Sequence, residues 1–176
     1  NTSQSMPISG LTYNFLLPLP CEVPTAQPTN FVLTSNSVII NGTFEPASPA
    51  PDKYLVVRTL AGDTPNDPMD GVNYNVGANG YLNGYVVMHS GATSFTDNYS
   101  SGVRGNHTYD YRVYSVNSDC AGGPYYLALN PATNTVTNCP ITMNGITVLG
   151  TTTDSILLNW PVGENGEANP MHRQVD

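Results

Sequence analysis

"TYDYRVYSVN", residues 108–117, places Tyr109, Tyr111, Val113 and Ser115 on one face of an extended chain and Asp110, Arg112 and Tyr114 on the other. A period of two sustained over ten residues is the mark of a β-strand with one buried face. The same alternation occurs upstream in "SVIINGTF", residues 37–44, where Val38, Ile40 and Phe44 share a face opposite Ser37, Ile39 and Asn41. "KYLVVRT", residues 53–59, reads as another strand and ends in "AGDTPNDPMDG", a run dense in turn formers. Shorter strand pieces are expected at Asn73 to Val76, Tyr85 to His89 and Thr93 to Asp97. They are separated by Asn79-Gly80, Asn83-Gly84 and Ser90-Gly91, all suited to tight turns. A last strand region runs from Tyr125 to Thr137, with Pro131 interrupting it. No stretch of ten residues carries a helical period free of Gly, Pro or Asn breaks.

About seven short strands with frequent turn signals imply an all-β fold, an antiparallel β-sandwich. Val38, Ile40, Phe44, Tyr54, Val56, Phe95, Tyr111 and Val113 are expected in its core. Composition agrees: only 10% of the residues are charged, and Asn, Thr, Ser, Gly and Pro take their place. The net charge is −8, with five basic residues among 176. A sequence-independent grip on nucleic-acid phosphates or anionic lipid is therefore not expected. "LTYNFLLPLP", residues 11–20, is too short and too rich in proline to span a bilayer. No signal-peptide pattern is read near Asn1, and the chain is expected to be an internal fragment of a secreted protein.

Two features recur with one spacing. "SVIIN" at 37–41 returns as "SILLN" at 155–159, and Cys21 returns as Cys139, each after 118 residues. The agreement implies a tandem repeat: residues 1–20 as the C-terminal tail of one module, 21–138 as a complete module, and 139–176 as the N-terminal part of the next.

Ile156, Leu158 and Trp160, in an I-x-L-x-W pattern, resemble strand B of a fibronectin type III domain, and "YDYRVYSVN" resembles that family's strand F. Residues 21–138 are more similar still to a variant of this immunoglobulin-like sandwich in large secreted proteins of the Bacteroidetes, adhesin-like cargo of the type IX secretion route. The pieces that carry the resemblance are "YLVVRT", "PMDGVNYNVG", "VVMHSGATSFTD", "YDYRVYSVN" and "CAGGPYY", in that order. The chain departs from the general pattern twice. Gly42 stands where the tryptophan falls, with Phe44 as its substitute. "SSGVRGNHT" replaces the Leu-x-Pro-Gly-Thr run that precedes the strand F tyrosine, Tyr109 here.

The resemblance implies a disulfide between Cys21 and Cys120. In such a sandwich the F–G loop lies at the end where the chain enters strand A, and Cys120 is in that loop. Cys139 then belongs to the next module. A Cys120–Cys139 bridge and three free thiols are the alternatives.

Catalytic constellations are thin. His89, His107 and His172 lack metal-ligand spacing and read as solvent-facing strand ends, and no nucleophile elbow, phosphate loop or dinucleotide fingerprint occurs. Asp63, Asp67 and Asp70 sit in one loop but do not match a calcium-loop spacing. The reading therefore expects no enzyme activity, no cofactor and no metal. Tyr81, Tyr85, Tyr99, Tyr125 and Tyr126 lie in or near loops and are the candidate ligand contacts. The expected role is a structural or adhesive repeat of a long secreted cell-surface protein, a spacer or stalk with neighbouring modules as partners and surface glycan or protein as a further one. The alternative is an accessory or glycan-binding module of a secreted polysaccharide-degrading enzyme.

Overall fold

The computed structural model describes residues 3–8, 11–16, 19–36, 39–77, 80–138 and 147–159. Twelve strands are formed within them: β1 (Ser3–Ile8), β2 (Leu11–Leu16), β3 (Thr29–Asn36), β4 (Ile39–Glu45), β5 (Lys53–Leu60), β6 (Tyr85–Ser90), β7 (Ser94–Asn98), β8 (Thr108–Asn117), β9 (Tyr125–Tyr126), β10 (Ala132–Thr137), β11 (Thr147–Thr151) and β12 (Ile156–Asn159). The only helical piece among the described residues is one 3-10 turn, Tyr99–Ser101.

All-antiparallel pairing builds two facing sheets. One has the order β3-β4-β7 and the other β10-β8-β5-β6, with β9 added to β8. In the lettering of a fibronectin type III sandwich these are strands A-B-E and G-F-C-C′. The fold is therefore an antiparallel β-sandwich, and β8 matches the quoted strand end to end. Hairpins β1-β2 and β11-β12 form ladders of their own that join neither sheet.

The core between the sheets follows from the alternation. Ile40, Phe44, Tyr54, Val56, Phe95, Tyr111 and Val113 are all buried in one cluster with Met88, Val103 and Tyr109. Val38 lies outside the described residues. Phe44 packs edge-on against Tyr54 at 4.9 Å between ring centroids. The ring over Gly42, however, is Phe95, its cross-strand partner on β7. A Cβ at Gly42 would collide with that ring, and Phe95 stacks in turn on Tyr111 at 5.5 Å. Phe95, more than Phe44, occupies the space of the absent tryptophan.

A second cluster lies on the outer face of the larger sheet and is absent from the sequence reading. Leu55, Val57, Val86, Tyr114 and Val116 are buried there beneath Tyr74, Leu82 and Tyr126. The cover is the connection between β5 and β6, which folds back over the sheet. Gly71 N–H donates to Pro124 O at 2.8 Å, Tyr126 N–H donates to the Asp70 carboxylate at 2.8 Å, and Gly77 N–H donates to Val86 O at 2.9 Å. Asn73 to Val76 is consequently no strand. Its backbone serves this docking, and Tyr74 fills the cluster.

The sandwich closes where β3 meets β10. Asn134 Nδ2 donates to Phe31 O at 2.8 Å, and Ser35 Oγ donates to Thr137 O at 3.1 Å. Gln27 ties the approach to β3 onto the other sheet, donating to Leu127 O at 2.6 Å and accepting from Ser115 N–H at 3.0 Å.

Candidate functional site

The chain enters the sandwich at the end of β8 marked by Asn117. There Cys21 and Cys120 form a disulfide, with their α-carbons 4.9 Å apart across 99 residues of sequence. That separation lies inside the range a disulfide spans. The backbone reinforces the bond: Cys21 N–H donates to Ala121 O and Ala121 N–H donates to Leu19 O, both at 2.9 Å, in a short parallel bridge. Asn117 Nδ2 donates to Glu22 O at 2.9 Å. Asp52 holds the loop from the other side, its carboxylate accepting from the N–H groups of Ser118 and Asp119 at 2.8 and 2.9 Å. Gly123 is needed for closeness, because a Cβ there would stand 2.5 Å from Cys21 Sγ and 3.0 Å from Asn117 O. Gly122 has φ +88°, a conformation that costs glycine least. Closing a loop of this length stabilises the fold by about 4 to 5 kcal/mol in the chain-entropy account. Cys139 lies outside the described residues.

The chain leaves at the other end of β8. Asn138 N–H donates to His107 O at 2.8 Å, and Asn106 N–H donates to Asn138 O at 2.9 Å. Nine residue steps of β8 at about 3.3 Å each separate the two ends by roughly 30 Å. Tyr109 sits at this exit, and its hydroxyl accepts from Arg104 N–H at 2.9 Å, five residues upstream. That is a tyrosine corner, formed although "SSGVRGNHT" replaces the usual run.

A buried ion pair links the sheets beside that corner. Arg58 Nη1 donates to Asp97 Oδ2 at 2.6 Å, with the two side chains 7% and 0% exposed. Tyr111 OH donates to the same oxygen at 2.9 Å, Ser101 Oγ bonds the other carboxylate oxygen, and Arg58 Nη2 donates to Ser101 O at 2.7 Å. The guanidinium lies over the rings of Tyr85 and Tyr109, 4.8 and 5.2 Å from their centroids. Burial, with the Asp97 carboxylate next in importance, pushes the Tyr111 hydroxyl far above its ordinary pKa. Sequence reasoning missed this network. Its signal was Arg58 itself, a charge at the end of a continuous apolar run, which burial obliges to find a partner.

The candidate tyrosines are not gathered into one surface. Tyr81 is exposed, Tyr85 is half-buried under Arg58, and Tyr125 is half-buried on β9. Tyr126 is buried, its ring against Tyr74 at 5.6 Å and its hydroxyl donating to Val72 O at 2.7 Å, so it presents no ring to solvent. Tyr99 starts the 3-10 turn; its side chain lies outside the described residues. Register places Tyr85 opposite Arg58 and Tyr126 opposite Val116, beside Lys53, near opposite ends of the sheet. His89 departs from the expected solvent-facing position. It is half-buried between Tyr126 and Tyr74, with Nδ1 2.9 Å from Tyr74 O. His107 is exposed, and His172 lies outside the described residues. Among the described residues no three His, Cys, Asp or Glu side chains converge as a metal site. Asp70 is engaged with Tyr126 N–H and Asp63 lines a groove at the exit end.

No protein-family model matches the chain, and no curated protein does. Among solved structures it is similar to a computationally redesigned β-sandwich protein, at 20% identity and TM-score 0.44 over 67% of this chain and 94% of that one. It is similar to a fibronectin type III domain of human collagen XX, at 21% identity and TM-score 0.40 over 66% and 97%. A β-1,2-glucanase from Parabacteroides distasonis is similar at 16% identity and TM-score 0.44, over 74% of this chain and 15% of that enzyme. The fold class rests on strand order and register rather than on these likenesses.

Proposed function

We propose that residues 21–138 are a load-bearing spacer module of a long secreted or cell-surface chain, one repeat in a tandem array that serves adhesion. The observation that carries this reading is the clamp at the entry. Tension between the two ends of the module arrives at Cys21 and passes through the disulfide to Cys120, so β3 is not the first element to feel it. Entry and exit at opposite ends of β8 are what a module strung in line requires. A disulfide is also the mark of an oxidising compartment. Hairpin β11-β12 supports the repeat, since β12 begins within one residue of the position that a 118-residue shift of β4 gives. Its connection is four residues long where that of β3-β4 is two.

The test is single-molecule pulling of residues 1–176 from both ends. The native chain is expected to resist a higher force than the Cys21→Ser/Cys120→Ser variant. Equal rupture forces would remove the mechanical role.

A further inference from the structure

We propose that Cys120 is an S-thiolation site, the sulfur at which a small cationic thiol opens the entry clamp. The inference needs the disulfide alone and stands independently of the load-bearing reading. Both cysteines are half-buried, but they are reached from different sides. A groove of about 650 Å³ at the entry end has Cys120, Pro20, Glu22, Asp52 and Asp119 in its lining; Cys21 is not part of it, although both of its chain neighbours are. Cys21 Sγ lies instead against Gly123, where one added carbon would stand 2.5 Å from it, and 3.6 Å from Asn117 O. Thiol–disulfide exchange depends on which sulfur the attacking thiolate can reach. Access therefore selects Cys120.

The step is an ordinary exchange. A thiolate in the groove attacks Cys120 Sγ, its sulfur bonds to that atom, and the Sγ–Sγ bond breaks. The electron pair leaves on Cys21 Sγ, which takes a proton from water. The incoming thiol is oxidised into the mixed disulfide and Cys21 is reduced. Asn117 O is already placed to accept the new Cys21 S–H. The backbone bonds of Ala121 with Cys21 and Leu19 do not involve the sulfurs, so Cys21 stays beside Cys120 and can expel the thiol again.

Charge selects the thiol. Three carboxylates, those of Glu22, Asp52 and Asp119, line the groove, and no basic side chain does. Lys53 meets Asp119 at 2.8 Å and offsets one of them. Ser118 and Asp119 give Asp52 only uncharged N–H donors. A thiolate with a second negative group is repelled from such a groove, whereas one with an ammonium group is drawn in.

Brief exposure of residues 1–176, with Cys139→Ser so that two cysteines remain, to cysteamine and to 2-mercaptoethanesulfonate tests the assignment. Acid quenching, alkylation and peptide mass spectrometry locate the mixed disulfide. It is expected on Cys120, with Cys21 alkylated. Relative to their rates on uncharged bis(2-hydroxyethyl) disulfide, cysteamine should react about tenfold faster than the sulfonate at low ionic strength. In about 1 M sodium chloride, where charges act only within about 3 Å, the preference should vanish. Glu22→Gln should narrow it, with thermal melts verifying that the variant is folded. A mixed disulfide on Cys21, or on both cysteines equally, would overturn the site. Equal normalised rates for the two thiols at low salt, or a preference unchanged in both Glu22→Gln and high salt, would overturn the selection by charge.

Discussion

Gly123 and Arg58 show how single residues hold this fold. A methyl group at position 123 would press on Cys21 Sγ and Asn117 O, so Gly123→Ala is expected to cost about 1 to 3 kcal/mol. Urea denaturation should register that loss, and removing both Cys21 and Cys120 thiols should relieve the part owed to sulfur. Arg58 and Asp97 form a pair whose partners cannot be removed singly without leaving a buried charge. Asp97→Ala is expected to destabilise by about 3 to 5 kcal/mol. An Arg58→Met/Asp97→Leu double variant should be closer to the parent than Asp97→Ala; the reverse order in denaturant midpoint would contradict the account. Tyr111 and Tyr126 give a pH dependence. Burial, followed by Asp97 for Tyr111 and by Tyr74 and Asp70 for Tyr126, holds both hydroxyls above the ordinary value of 10.0. In the unfolded chain they ionise near pH 10, so the folded state keeps protons that the unfolded state releases. Stability owed to them is intact below pH 10 and falls as the pH rises beyond it. Tyrosinate absorbance at pH 11 should show fewer than the chain's eleven tyrosines ionised while it remains folded.

At the scale of elements, the strands were legible where one face is apolar and the other polar. β4 is of this kind throughout, with its inward residues where alternation puts them; β8 is so only over its first half, because Tyr114 and Val116 on its other face are buried in the outer cluster. β5 was legible as a strand but not as one buried on both faces. Tyr54, Leu55, Val56 and Val57 are all buried, and a continuous apolar run is the sequence mark of that condition. What covers the outer face could not be read, because the 24 residues at 61–84 resemble solvent loop in composition and gain their order from docking on β9 and β6. The same docking explains Tyr126: a tyrosine beside a glycine-rich loop reads as exposed until its cover is known. Leu82 tests the cover, being 1% exposed within a turn-rich connection. Leu82→Ala should cost about 2 to 5 kcal/mol, as in a core. A change within about 0.5 kcal/mol in thermal or urea unfolding, ordinary for a surface loop, would show that the outer cluster does not hold.

Across the whole molecule, one covalent bond decides how the module behaves under tension. The disulfide joins residues 99 apart in sequence, and the segment between them includes every strand from β3 to β8. Of the strands of the two facing sheets, only β9 and β10, beyond Cys120, lie outside that ring. The family resemblance made the ring foreseeable by placing Cys120 in the loop beside the entry of the chain, with a Cys120–Cys139 bridge and three free thiols as alternatives until the fold placed Cys21 and Cys120 together. The groove near the exit was not foreseeable, because Arg58, Arg104 and His107 are brought together only by the meeting of β5 with the turn before β8. Tension applied at the two ends can release the chain after Cys120 but cannot extend the enclosed segment until the bond is reduced. Contour-length gain per unfolding event, measured by single-molecule pulling with and without reductant, tests this most directly. The reduced module is expected to release roughly 330 to 360 Å more chain than the oxidised one, about 3.3 to 3.6 Å for each enclosed residue. Equal gains in the two states would contradict the clamp.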